Sequence, residues 1–73
     1  MKNFEIHNNV RSLRFMADEM TQQELADKAY VTRQTIVSIE KNKYSPSLDL
    51  AFRIAQVFNI EIGEVFSYKS ISK

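Results

Sequence analysis

The side chains best suited to chemistry lie in one stretch of the sequence, residues 32–44, and the chemistry available to them is hydrogen bonding. At about 100° per residue, a helix over residues 32–41 turns Ile36 and Ile39 to one side. On the other side, arginine can pair with guanine, glutamine with adenine and serine with several base edges, and valine can contact a thymine methyl group. The pattern predicts that four residues read base edges in the major groove of DNA: Arg33, Gln34, Val37 and Ser38.

Polar and basic residues around this helix could hold the phosphate backbone. Gln22 stands at the start of a preceding helix, where free backbone N–H groups favour an anion. Lys41 lies on the polar side of the reading helix, and Asn42, Lys43 and Tyr44 follow it directly. Contacts of this kind position a protein on DNA without reading the base sequence. We therefore expect these five residues to contact phosphates.

The elements that would position these side chains are two short helices joined by a tight turn. Residues 21–24 read T-x-x-E, a capping box in which Thr21 and Glu24 each satisfy a backbone N–H at the start of a helix. Leu25 and Ala29 follow at core spacing. The connection at residues 29–31 is too short for the two helices to run antiparallel over a long contact. The pattern predicts a helix-turn-helix over residues 21–42.

Three further helices and two strands are predicted around this unit. A first helix begins near Asn8 or Asn9, a fourth begins after Ser47 as its N-cap, and a short fifth helix spans residues 62–66. Residues 3–6 and 66–71 alternate apolar and polar side chains, which favours a small antiparallel sheet over frayed termini. The predicted buried residues are Val10, Leu13 and Ala17 in the first helix and Leu48, Ala51, Phe52, Ala55 and Phe58 in the fourth.

Length and composition exclude several classes of function. The 73 residues allow one small domain, residues 1–73, and 44% apolar residues are ordinary for a folded protein. The chain has no cysteine and one histidine, His7, so neither a disulfide nor a metal site is expected. No apolar run approaches the roughly 18 residues of a membrane helix, and no motif of nucleophilic or phosphate-loop catalysis is present. We expect a cytoplasmic protein that is not an enzyme and needs no cofactor.

The charge is unevenly distributed although the net charge is only +1. Acidic residues concentrate at positions 17–27, and basic residues dominate positions 28–46. A nucleic-acid binder concentrates positive charge on one face, but an ordinarily solvated surface can show the same pattern.

The segment TQQELADKAYVTRQTIVSIEKNKYSPSLDLAFRIAQVF closely resembles the Cro/C1-type (XRE, phage-repressor-like) helix-turn-helix family, and the resemblance covers about residues 8–66. The runs TRQTIVSIE and PSLDLAFRIA are near the family's consensus. The resemblance implies an all-α fold, a compact five-helix domain like that of the lambda repressor. It also implies double-stranded DNA as the partner and a homodimer on a palindromic operator. The residues that match the family's core positions in register are Leu25, Ala26, Ala29, Val31, Ile36 and Ile39.

The resemblance also implies roles for individual residues. Gln22 and Thr32 look like phosphate clamps, and Arg14 and Glu40 match an ion pair that links the first and third helices. Arg33, Gln34 and Ser38 look like base readers, as the helical wheel also indicates. The full set of predicted phosphate-contacting residues is Gln22, Thr32, Thr35, Lys41, Asn42, Lys43 and Tyr44.

The sequence departs from the family's pattern in its turns. Tyr30 stands where the family has glycine, and a non-glycine residue in the left-handed region costs roughly 1–2 kcal/mol. Either Tyr30 adopts that conformation under strain or the turn is reshaped. Asn42, Asn59 and Glu19 replace other glycines, and the loop that contains Glu19 is one residue longer than usual. Gly63, inside the fifth helix, should weaken that helix.

Two function hypotheses follow. The leading one is a sequence-specific transcriptional regulator, a repressor that occupies a promoter. The alternative is an antitoxin-like autoregulator that mainly binds an unidentified protein partner, with a docking surface in the acidic stretch at residues 18–27. A homodimer interface is expected where apolar residues exceed the needs of a small core, at Ile62, Phe66, Tyr68 and Ile71.

Overall fold

The computed structural model describes residues 4–70 and has five helices and one small antiparallel sheet. The fold is mostly helical, which confirms the predicted five-helix architecture and the predicted terminal sheet. The elements in chain order are β1 (Phe4–Asn8), α1 (Val10–Met16), α2 (Gln22–Ala29), α3 (Arg33–Glu40), α4 (Leu48–Phe58), α5 (Ile62–Val65) and β2 (Phe66–Ser70). Within residues 4–70, no helix has the length and apolar character needed to cross a membrane.

Three helices begin at hydroxyl N-caps, as predicted. The Thr21 Oγ1 accepts the Glu24 N–H at 3.0 Å, and the Glu24 carboxylate accepts the Thr21 N–H at 2.8 Å, which completes the capping box. Thr32 caps α3 at 3.2 Å and Ser47 caps α4 at 3.1 Å in the same way. Each cap satisfies a backbone N–H that the helix itself cannot pair.

Three helices end at a non-glycine residue in the left-handed region: Tyr30, Asn42 and Asn59, with φ of 61°, 59° and 58°. After each of them the chain closes a six-residue backbone loop, in which Val31 donates to Ala26, Lys43 to Ser38 and Ile60 to Ala55. These are Schellman motifs, which satisfy the last carbonyls of a helix. The turn at Tyr30 therefore keeps left-handed geometry and is not reshaped.

Each helix contributes one or two large aliphatic side chains to the core, and α2 and α4 also contribute buried alanines. The fully buried large residues are Val10, Leu25, Ile36, Ile39, Ile54 and Val65. Leu13 and Phe58 pack against this core as half-buried residues, and Ala17 is half-buried just after α1 ends.

The predicted buried stripe of α4 is partly wrong. Leu48 and Phe52 are 70% and 54% exposed, whereas Leu50 and Ile54 are buried. Ala51 and Ala55 are buried as predicted and lie between two possible apolar stripes, one through Leu48 and Phe52 and one through Leu50 and Ile54. The packing of α4 against α2 and α5 selects the second stripe.

The terminal sheet has one apolar face and one charged face. In its antiparallel register, Phe4 lies opposite Ser70, Ile6 opposite Tyr68, and Asn8 opposite Phe66. The rings of Phe4 and Tyr68 stack with centroids 5.1 Å apart. Because strand side chains alternate, Glu5 and His7 lie on the other face, where they approach to 3.2 Å.

We predict that Tyr30→Gly stabilises the protein by about 1 kcal/mol, because glycine adopts the left-handed region without the cost that a β-carbon brings. The tyrosine side chain is 83% exposed, so little packing is lost. Thermal unfolding followed by circular dichroism should show a midpoint about 4–8 °C higher. The control Asn59→Gly should give a smaller gain, because asparagine tolerates this conformation better. A lower midpoint for Tyr30→Gly would show that the ring stabilises the fold.

Candidate nucleic-acid interface

Helix α3 presents a polar outer face because its two isoleucines are held in the core. Ile36 and Ile39 are 0% and 1% exposed. On the outer face Arg33 and Gln34 are exposed, and Val37 and Ser38 are half-buried. The Gln34 Nε2 lies 3.4 Å from the Ser38 Oγ, one helical turn further on. The structure therefore brings these two predicted base-reading residues into contact with each other.

A concave surface runs beside the outer face of α3 and gathers predicted base readers and phosphate contacts. Within it, the Thr32 and Thr35 hydroxyls lie 3.0 Å apart, and the Thr32 oxygen also accepts the Thr35 N–H. Because only one of the two hydroxyl protons lies between the oxygens, the other can be donated to an anion. The surface is lined by Thr32, Gln34, Thr35, Ser38, Lys43 and Tyr44.

A second concave surface lies between α1, α2 and α3 and contains an arginine that sequence reasoning missed. Arg11 is exposed on α1 and lines this surface together with Gln22 and Lys41. Only its positive charge could have indicated a role in binding. A single arginine on a surface helix is common, so that charge did not distinguish it. Arg11 and Lys41 on this surface, and Lys43 on the first surface, make no ion pair among residues 4–70, and neither does Arg33 on the outer face of α3.

The second concave surface is anchored by a hydrogen-bond network around Glu40. The Arg14 Nε and one of its terminal nitrogens donate to the two Glu40 oxygens at 2.6 and 3.1 Å. The Gln22 Nε2 donates to Glu40 Oε1 at 3.1 Å, and Arg14 also donates to the Met20 carbonyl at 2.8 Å. The Arg14 and Glu40 side chains are only 14% and 8% exposed. The network thus links α1, α2 and α3.

The same network orients the Gln22 amide. A glutamine amide nitrogen carries two hydrogens, and Glu40 accepts one of them. The second hydrogen and the N-terminal backbone N–H groups of α2 remain available to an anion. A phosphate bound there would meet a fixed donor and would not have to order a mobile side chain.

The residues predicted to form a dimer interface differ in their exposure to solvent. Ile62 and Phe66 are half-buried and pack against the core, whereas Tyr68 is 69% exposed. Ile71 lies outside the described residues. Two residues on the same sheet face as Tyr68 were missed as interface candidates, Phe4 and Ile6, which are 43% and 41% exposed. The alternation of apolar and polar residues in the predicted strands could have identified them.

No group of three or more histidine, cysteine, aspartate or glutamate side chains within the described part of the chain is arranged to hold a metal ion. His7 lies on the charged face of the sheet beside Glu5, remote in sequence from the residues of α2 and α3. The candidate site is a surface of hydrogen-bond donors and cations.

Comparison with known proteins gives one family match and several relatives. The helix-turn-helix family model HTH_3 matches residues 14–65. An uncharacterized HTH-type transcriptional regulator of Methanocaldococcus jannaschii is 54% identical over 50 residues, which cover 68% of this chain and 76% of the relative. The uncharacterized HTH-type transcriptional regulator YgzD of Bacillus subtilis is 41% identical over 59 residues, 81% of this chain and 88% of YgzD.

Two solved structures share the fold. The transcriptional regulator VanUg superposes with a TM-score of 0.75 at 18% identity, covering 96% of this chain and 92% of VanUg. A protein from Bacteroides fragilis superposes with a TM-score of 0.73 at 22% identity, covering 85% of this chain and 98% of that protein. At such low identities the likeness concerns the fold alone.

We predict that Glu40→Ala lowers the free energy of unfolding by about 3 kcal/mol, because it leaves the poorly exposed Arg14 without its carboxylate partner. Urea unfolding of the two proteins measures the difference. The control is Asp49→Ala, which removes the carboxylate partner of Arg53 on the surface of α4 and should cost less than about 1 kcal/mol. Equal losses for the two variants would contradict a structural role for the network around Glu40.

Proposed function

Because the chain belongs to the Cro/C1-type helix-turn-helix family of transcriptional regulators, we propose that it binds operator DNA with α3 in the major groove. In this arrangement Arg33, Gln34 and Ser38 hydrogen-bond to base edges, and Val37 contacts a thymine methyl group. The observation that carries the proposal is the exposed polar face of α3 with a basic concave surface on each side. Such a face can enter a groove while both surfaces meet phosphates.

The phosphate contacts fall into two groups on either side of α3. Arg11, Gln22 and Lys41 form the first group, in which Glu40 has already oriented the glutamine amide. The second group lies around the start of α3 and after its end, at Thr32, Thr35, Asn42, Lys43 and Tyr44. Two groups of phosphate contacts flanking a reading helix hold that helix in register with the bases.

We propose that the protein acts as a repressor. Bound at a promoter, a protein of this size competes with other proteins for the same DNA, and occupancy alone prevents transcription. Catalysis is not required, because every predicted contact is a hydrogen bond, an ion pair or an apolar contact. DNA in archaeal and bacterial cells, such as those of the relatives, lies in the cytoplasm, which is where this protein would act.

The apolar face of the sheet supports a homodimer as the binding species. Phe4, Ile6 and Tyr68 expose apolar surface that the monomer leaves uncovered. One α3 reads only about half a helical turn, whereas two copies with their reading helices about 34 Å apart read a palindrome. Burial of this face against a second copy would remove the apolar surface from water and double the DNA contacts.

Selection of random duplex DNA by the pure protein, followed by sequencing, tests the proposal. The salt concentration is held constant, because release of counterions makes affinity strongly salt-dependent. An enriched palindrome with half-sites about one helical turn apart is the expected result. Equal binding to every duplex would contradict sequence-specific recognition.

We predict that Gln34→Ala weakens binding to the selected operator by about 1–3 kcal/mol and relaxes the base preference at one position in each half-site. Fluorescence anisotropy with the operator and with single-base variants measures both effects. Gln56→Ala is the matched control, since Gln56 is an exposed glutamine on α4, outside the proposed interface. Unchanged operator affinity for Gln34→Ala would remove Gln34 from the base-reading set.

We predict that Tyr68→Lys weakens dimerisation at least about tenfold, because a lysine charge is costly to bury in an apolar contact. Sedimentation equilibrium over a range of concentrations measures the change. Ser67→Lys introduces the same charge one residue earlier, on the opposite face of β2, and should leave dimerisation unchanged. A wild-type protein that stays monomeric at micromolar concentration would contradict the homodimer.

A further inference from the structure

The side chain of Asn8 hydrogen-bonds the terminal sheet to the end of α3. Asn8 is the last residue of β1 and lies opposite Phe66 of β2. Its Nδ2 donates to the Ile39 carbonyl at 2.9 Å and to the Asn42 Oδ1 at 3.1 Å. Its Oδ1 accepts the Val10 N–H at 3.0 Å. One half-buried amide therefore connects β1, the start of α1 and the end of α3.

The orientation of this amide is determined by its backbone partners. The Val10 N–H can only donate and the Ile39 carbonyl can only accept, so the oxygen and nitrogen of Asn8 cannot exchange places. The two halves of the amide consequently have separate tasks. The oxygen caps α1, and the nitrogen holds the end of α3.

The nitrogen half meets α3 where the chain turns sharply. The Ile39 carbonyl also accepts the Asn42 N–H at 3.0 Å, and Asn42 has left-handed φ. Next along the chain, the Lys43 N–H donates to the Ser38 carbonyl at 2.9 Å. We name residues 42–44 the 42–44 turn; it includes the Lys43 and Tyr44 side chains that line the concave surface beside α3.

We propose that Asn8 is a positioning residue, which holds the 42–44 turn in the geometry that lets Lys43 and Tyr44 contact phosphates. The proposal rests on the proposed function. It also gives the sheet a role besides the proposed dimerisation. Because β1 is hydrogen-bonded to the end of α3, the sheet helps to set the orientation of that helix in the homodimer.

Asn8→Asp separates the two tasks of the side chain. Aspartate keeps the oxygen that caps α1, but it places a second oxygen against the Ile39 carbonyl and the Asn42 Oδ1, where the amide donated. Asn9→Asp is the matched control. It adds the same charge at the next residue, whose Nδ2 donates to the Glu64 carbonyl of α5 instead of to α3. Asn8→Ala removes the amide without adding charge.

The first readout needs no DNA. Hydrogen exchange of the Asn42 and Lys43 amides should be about tenfold faster in Asn8→Asp and Asn8→Ala than in the wild type, because loss of a hydrogen bond raises the population of the open turn. Asn9→Asp should leave these two amides unchanged. Exchange at residues 42 and 43 that is equal in all four proteins would overturn the proposal.

The second readout is binding to the selected operator, at a temperature where every variant is fully folded. Asn8→Asp and Asn8→Ala should weaken binding to the operator and to non-specific duplex alike, each about tenfold, with a shallower salt dependence from the lost phosphate contacts. Phosphate ethylation interference should disappear only at the phosphates that face the 42–44 turn. A residue that serves stability alone would lower the unfolding midpoint and leave the affinity, its salt dependence and the interference pattern unchanged, which would refute the positioning role.

The two readouts also separate the inference from the proposed function. A wild-type protein without operator preference would contradict the proposed function, and the exchange experiment would still decide whether Asn8 holds the 42–44 turn. A wild-type protein that selects an operator, with Asn8→Asp and Asn9→Asp binding it equally well, would contradict the inference alone.

Discussion

Burial of Ile36 and Ile39 is the constraint on which the rest of the structure depends. An isolated helix of eight residues is unstable in water, so α3 forms because its inner side is part of the core. Once those two positions are buried, helical geometry fixes the direction of every other side chain on α3. Arg33 and Gln34 must then lie on the outside. The core and the proposed nucleic-acid interface are two sides of the same short helix.

The network around Glu40 holds three short helices in their relative positions. Arg14 approaches from α1 and Gln22 from α2, and both donate to one carboxylate at the end of α3. A charged cluster this poorly exposed is costly unless every partner is present. The same network orients the Gln22 amide, which is the donor that we propose for a phosphate contact.

Three helices end in a conformation that favours glycine, although the only glycine of the chain lies elsewhere. Tyr30, Asn42 and Asn59 all adopt left-handed φ, and in each case the following residue closes the backbone loop that satisfies the last carbonyls. The backbone hydrogen bonds offset the cost of a β-carbon there, and after Tyr30 and Asn59 the next residue also packs against the core. At Asn42, the side chain of Asn8 in β1 adds a further hydrogen bond, which links the end of α3 to the sheet.

Local features of this protein could be predicted from its sequence, because they depend on residues within one helical turn. The caps at Thr21, Thr32 and Ser47, the polar face of α3 and the alternation in the strands are of this kind. Tertiary structure decided which of two stripes of α4 is buried, and it placed Arg11 beside Gln22. It also joined Asn8 to Ile39, 31 residues further along the chain. Such choices depend on how separate elements pack, and no local pattern in the sequence carries that information.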